Sequence, residues 1–159
     1  MQVRILGAHN CESARTRLAT LLIDDVLALD AASVSASLTF EQQSRLKAVL
    51  LSHSHFDHAR DVATLGMNAY LGGYSFSIYS TAAVLEMLSA SLLNGQIYPD
   101  FTKKPSEEKP TVRLVTLEPF QETEVAGYRV LAVPIAHSVP AAGYVVTSAD
   151  GKSLFYTSD

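Results

Sequence analysis

The sequence predicts an α/β domain built in layers, and three observations carry that expectation. Short strand-like segments fill both ends of the chain, with helical spacing between them, which suits sheets and helices packed in layers. The run "KAVLLS" is apolar throughout, as in a buried strand. A length of 159 residues with 48% hydrophobic and 18% charged side chains is enough for one domain, residues 1–159, with a real core.

Taken in order, "VRILGA" (Val3 to Ala8) reads as the first strand, followed by a polar loop through Arg15. "RLATLLID" and "DVLALD" read as two strands joined by a hairpin turn at Asp24-Asp25. "TFEQQSRL" predicts a short helix starting near Thr39 and leads into the buried strand "KAVLLS". Directly after it comes "SHSHFDHAR", at a strand end, where loops carry sites. Asp61 is then expected to cap a helix running towards Tyr70, ended by Gly72-Gly73.

"FSIYS" reads as a strand, and Thr81 as the cap of "AAVLEMLSASLLN". There Val84, Leu85, Leu88 and Leu92 recur at helical spacing as a core stripe, and Asn94-Gly95 ends the segment. Residues 99 to 110, "PDFTKKPSEEKP", read as an exposed loop. Strands return as "TVRLVTL", "ETEVA", "YRVLAVPIA", "AGYVVTS" and "SLFYTS", with turns at Ala126-Gly127 and Asp150-Gly151. No internal repeat of solenoid length is present.

The totals narrow the function classes. A net charge of −4 disfavours a broad nucleic-acid-binding surface. One cysteine, Cys11, excludes an intrachain disulfide framework and fits a reducing compartment. The N-terminal apolar run is too short for a signal peptide, and no stretch approaches the roughly 20 apolar residues of a membrane span. The expectation is a cytoplasmic protein without a membrane partner.

The chemistry concentrates in "SHSHFDHAR", where three of the five histidines and one aspartate fall within six residues. On an extended segment, residues two apart point the same way, so His53 and His55 can converge on one ion. Asp57 and His58 follow as the chain leaves the strand and can turn towards a second ion. Nitrogen ligands with a carboxylate suit zinc, iron or manganese, and two such ions can jointly activate water.

This spacing resembles the HxHxDH signature of the metallo-β-lactamase fold superfamily, and the similarity covers nearly the whole chain. "LALDAA" (Leu27 to Ala32) looks like the family's aspartate-bearing strand end. "VPIAHS" places His137 at the family's next metal histidine, and "SLFYTSD" resembles its strand ending in a metal-bridging aspartate, here Asp159. The resemblance implies an αββα sandwich with two divalent transition-metal ions, zinc first and manganese or iron as alternatives. It implies His53, His55 and His137 around one ion, Asp57 and His58 around the other, and Asp159 bridging. The family's chemistry is attack by a metal-bound hydroxide, which Asp57 would orient.

Family members carry a further metal histidine downstream of the bridging aspartate, within a second α/β half. No remaining residue fills that position, since His9 lies on the first-strand loop. The chain is therefore expected to be the N-terminal portion of the fold, completed by a C-terminal portion or a second chain, and to hold the second ion poorly alone. For substrate, "HSVPAAGYVVTSADGKSLFYTSD" looks like the phosphodiesterase branches. "LLNGQIYPDFTK" is similar to class II cyclic-nucleotide phosphodiesterases, whereas "HSVPAAGY" is also close to ribonuclease Z, a tRNA 3′ endonuclease.

The "YPDF" segment and the acidic balance favour a small phosphodiester over tRNA. Acyl hydrolysis of a thioester, lactone or β-lactam, and an inactive metal-binding fragment, are the other readings. Lys103, Lys104 and Lys109 read as a solvated face, Tyr144 as core, and Ser138 as a turn residue. Cys11 reads as partly buried and His9 as a surface residue.

Overall fold

Side-chain alternation along short apolar segments determines this architecture. A computed structural model describes residues 1–159. In chain order the elements are β1 (Val3–Gly7), β2 (Thr20–Ile23), β3 (Leu27–Leu29), α1 (Val34–Ser37) and α2 (Phe40–Gln43). Next come β4 (Ala48–Leu50), α3 (Phe56–Ala59), α4 (Asp61–Gly72), β5 (Phe76–Ser80) and α5 (Ala82–Ser91). Five strands close the chain: β6 (Val112–Thr116), β7 (Glu122–Val125), β8 (Tyr128–Ile135), β9 (Ala141–Thr147) and β10 (Ser153–Tyr156).

Strands β1 to β6 form one sheet in sequence order, antiparallel through β3 and parallel from β3 to β6. Parallel neighbours need crossovers, and the segments containing α1 to α5 supply them. Strands β7 to β10 form a second, antiparallel sheet. The tight turns follow from backbone chirality. Asp24 and Asp25 turn between β2 and β3 with φ of 46° and 61°, and Ala126 and Gly127 between β7 and β8 with 53° and 88°. Both pairs have the doubly positive φ that matches hairpin twist.

Successive residues point to opposite faces of a strand, so the first sheet feeds two cores. Leu22, Ala28, Val49 and Ile78 face one way and pack with Val62, Leu65, Val84 and Leu88 of the helices. Ile23, Leu27, Leu29 and Leu50 face the other way, against Val130, Ala132, Tyr144 and Val146 of the second sheet. The far face of that second sheet carries Leu131, Val145 and Phe155 opposite one another in register. It is partly open, and Phe155 is half exposed. No helix is long and apolar enough to cross a membrane.

Several local expectations change. Arg60, not Asp61, precedes α4 as its cap residue. The Asp61 carboxylate instead accepts the Ser35 N–H at 2.7 Å and the Arg60 Nε–H at 3.1 Å, tying α1 to α4. Thr81 occupies the cap position of α5 without a side-chain capping bond. Thr39 does make the full capping box with Gln42. Helix α5 ends at Ser91, short of Asn94-Gly95, and α1 has no counterpart in the sequence reading.

The segment 99–110 is not wholly exposed, because Phe101 is buried against Gly66 of α4. A Cβ at Gly66 would lie 2.5 Å from the Phe101 ring. Phe101→Ala is expected to cost about 3–5 kcal/mol by leaving a cavity, and Gly66→Ala about 1–3 kcal/mol by overpacking. Urea unfolding checks both, with Lys104→Ala in the same loop expected to change little.

Candidate metal centre

Strand β4 delivers the histidine cluster to the edge of both cores. Leu50 and Leu51 are fully buried, so the next residues emerge at the strand's carboxyl end with their backbone already fixed. There the rings of His53, His55 and His137 meet, with centroids 4.6 to 5.0 Å apart. The Nδ1 of His55 lies 3.1 Å from Nε2 of His53 and 3.2 Å from Nε2 of His137. These three residues form one potential ligand group.

A second group joins His53, His58 and Asp159. The Nε2 of His58 is 3.3 Å from Asp159 Oδ1 and 3.7 Å from Asp57 Oδ2. Asp57 belongs to neither tight group but stands beside the second. Since Nε2 of an imidazole offers a single lone pair, His53 can serve only one ion at a time. That leaves His58 and Asp159, with Asp57 nearby, for the other. Two adjoining sets of imidazole and carboxylate donors fit a pair of divalent transition ions in donor chemistry.

Burial differs across the centre. His53 and His58 are almost fully buried, His55 is half-buried, and His137 and Asp159 are exposed. Burial, helped by the neighbouring His58, drives the His53 pKa down to about 4. Burial also pulls His58 down, but the hydrogen bond and charge of Asp30, with Asp159 and Asp57, outweigh it and hold His58 above the ordinary value.

Asp30, fully buried at the end of β3, is the residue behind both histidines. Its Oδ1 accepts the Ser52 N–H at 2.7 Å. Its Oδ2 takes the Ser52 hydroxyl at 2.8 Å, His58 Nδ1–H at 2.7 Å and the Tyr156 hydroxyl at 2.6 Å. The Asp30 backbone is left-handed, with φ of 59°, a conformation uncommon outside glycine and a frequent mark of functional sites. Its N–H reaches Leu50 O, the Ala31 N–H reaches His58 O, and the Asp61 N–H reaches Ala31 O. Burial and the Asp30 charge both raise the Tyr156 pKa, so its proton stays in place.

Ser52 and Tyr156 were not singled out from the sequence. Both stand inside the quoted segments, but their pairing with Asp30 spans 22 and 126 residues and leaves no local pattern. Tyr144 is fully buried between the sheets, its hydroxyl on Leu51 O at 2.6 Å and Ser80 Oγ at 3.0 Å, and belongs to the core. Ser138 is exposed, and Lys103 lies 3.4 Å from Asp100. Cys11 is exposed rather than partly buried, and exposed His9 contacts Arg17 O through Nδ1 at 3.3 Å.

The two-sheet sandwich gathers these metal-binding donor types at its strand ends. The chain belongs to the β-lactamase superfamily: residues 20–159 match the family described as beta-lactamase superfamily domain. A similar solved structure is the metallo-β-lactamase fold protein YhfI of Bacillus subtilis, with TM-score 0.76 and 21% identity over 99% of this chain and 61% of that one. Yeast PDE1 gives TM-score 0.83 and 12% identity over 96% of this chain and 63% of that one.

The short form of human tRNase Z gives 0.68 and 15%, over 100% of this chain and 69% of that one. These identities establish the fold alone. A curated octanoyltransferase of Porphyromonas gingivalis is 28% identical over 97% of this chain but only 30% of its own length. The chain thus spans less than two thirds of YhfI and PDE1, and under a third of that relative.

Two outcomes follow from the geometry. His55→Ala should weaken binding of one divalent transition-metal equivalent and His58→Ala that of the other, read by elemental analysis after dialysis against buffered metal. Asp30→Asn sets an amide N–H or a weaker acceptor against the buried donors, and is expected to destabilise the protein by about 3–5 kcal/mol, measured by thermal or urea unfolding.

Proposed function

We propose that the protein is a phosphodiester hydrolase, of the kind that acts on cyclic nucleotides, with zinc as its metal. The observation that carries this reading is the pair of adjoining donor sets, one of three imidazoles and one containing carboxylates. His53, His55 and His137 would hold the first ion, and His58, Asp57 and Asp159 the second, Asp159 also reaching between them. Bound there, two dications lower the pKa of water and neutralise the oxygens of a phosphoryl group.

The protein's own residues do the rest. His53 and His58 are fixed from behind by buried partners, which keeps their open nitrogens aimed at the site. Exposed His137 and Asp159 form the rim through which a small charged substrate enters. Asp57 is adjacent to the second set and only partly covered, so its carboxylate can accept a hydrogen bond from the attacking water and orient it towards phosphorus.

Likeness in fold to PDE1 and tRNase Z is compatible with phosphodiester chemistry. The net charge of −4 supports a small diester over a long nucleic acid. The single cysteine suits the cytoplasm, where we place the protein. We also expect the open apolar face of the second sheet to be covered, by further polypeptide or by a second chain.

The test compares hydrolysis of bis(p-nitrophenyl) phosphate and of 2′,3′- and 3′,5′-cyclic AMP with that of p-nitrophenyl acetate and a lactone, using zinc-loaded protein. Phosphodiester turnover should dominate, and Asp57→Ala should lower it by roughly 100-fold or more. Preferential ester or lactone turnover would overturn the substrate class. Unchanged turnover in Asp57→Ala would remove Asp57 from the chemistry.

A further inference from the structure

We infer that Ser52 is a positioning residue that connects Asp30 to His53, so that one buried carboxylate sets the ring nitrogen of a histidine in each metal group. The inference rests on the paired-site reading above and deepens it. Ser52 Oγ has three polar neighbours: Asp30 Oδ2 at 2.8 Å, His53 Nδ1 at 2.9 Å and Ser158 Oγ at 2.8 Å. A serine hydroxyl has one proton to give and two lone pairs to receive.

Ionised Asp30 only accepts, so the Ser52 proton goes to Oδ2. The two remaining contacts must then run towards Ser52, with Ser158 donating O–H and His53 donating Nδ1–H. A neutral imidazole carries a single N–H. With that proton on Nδ1, the Nε2 of His53 presents a lone pair beside His55 and His137. The same carboxylate receives Nδ1–H of His58 directly, at 2.7 Å. Both histidines therefore turn Nε2 to the site, one held by Asp30 itself and one through Ser52.

The rival arrangement places the His53 proton on Nε2, pointing at His55 Nδ1. Nδ1 would then meet Ser52 Oγ as an acceptor. If Ser52 gave its proton to Nδ1, two oxygens would face each other at 2.8 Å with no proton between them. If it gave the proton to Asp30, Nδ1 and Oγ would do the same at 2.9 Å. Ser52, His53 and Asp30 are all completely buried, so water cannot relieve either mismatch. Hydrogen bonding behind a ligating histidine fixes its tautomer and orientation, and losing such a partner costs 10–100-fold in metal affinity.

The decisive measurement uses metal-free, ¹⁵N-histidine-labelled protein and long-range ¹H–¹⁵N correlation spectra at neutral pH. Wild-type His53 is expected to show the Nδ1–H tautomer, and a dominant Nε2–H form would overturn the inference. Competitive zinc titration then compares Ser52→Ala with the conservative Ser52→Thr. The alanine variant should bind the first equivalent about 10–100-fold more weakly, with threonine restoring affinity.

Wild-type affinity in Ser52→Ala, or an equal loss in both variants, would refute the positioning role. Should Ser52→Ala fail to fold, the wild-type tautomer and Ser52→Thr still decide. Ser158→Ala leaves the Asp30–Ser52–His53 chain intact, and its His53 tautomer should match wild type. A wild-type protein that binds no zinc but shows Nδ1–H would defeat the paired-site reading while leaving the hydrogen-bond assignment standing.

Discussion

A single buried carboxylate holds the layers of this protein in register at the site. Burying a charge is costly unless it is closely hydrogen-bonded, and Asp30 meets that demand with donors from three places. Ser52 comes from the loop after β4, His58 from α3, and Tyr156 from β10 of the other sheet. If the sheets slid against one another, Tyr156 would leave and a buried acceptor would lose a partner. The apolar core between the sheets is non-directional and permits small slips; the Asp30 contacts do not. Inter-sheet packing supplies cohesion, and this polar cluster supplies alignment.

The same arrangement divides the site into a fixed wall and an open rim. His53 and His58 follow a buried parallel strand and lean on buried partners. His137 and Asp159 come from the ends of antiparallel strands and face solvent. Ligands of open α/β sheets gather at the carboxyl ends of parallel strands. Here that end of the first sheet is met by strand ends of the second. One layer provides a preset half-site, and the other closes on it with residues more than 70 positions downstream of His58.

Much of this could be read from the chain. Continuous apolar runs mark the buried strands, and the residue pairs Asp24-Asp25 and Ala126-Gly127 between strand-like runs mark two turns, where the structure has paired positive φ. The spacing of His53, His55, Asp57 and His58 announced the centre because its pattern is local. The resemblance to the superfamily added His137 and Asp159, and the structure gathers all six at one place, with Asp57 outside both tight groups. What stayed hidden depends on pairs far apart in sequence. Ser52 and Tyr156 meet Asp30 only after folding, and Phe101 lies in a polar segment whose one large apolar side chain finds Gly66. Asp61 looked like a helix cap, but its carboxylate was recruited by Ser35 from another element.

The left-handed backbone of Asp30 has a consequence for which sequences can occupy this position. Two independent filters act on the same residue. The conformation favours glycine, asparagine and aspartate over other side chains. The surrounding donors require a side chain that only accepts, which glycine lacks and asparagine satisfies with one oxygen out of two positions. Glutamate accepts equally well but fits the left-handed region poorly. Aspartate alone passes both, so the mutational space at this position collapses to a single residue on physical grounds, before any demand from catalysis is added.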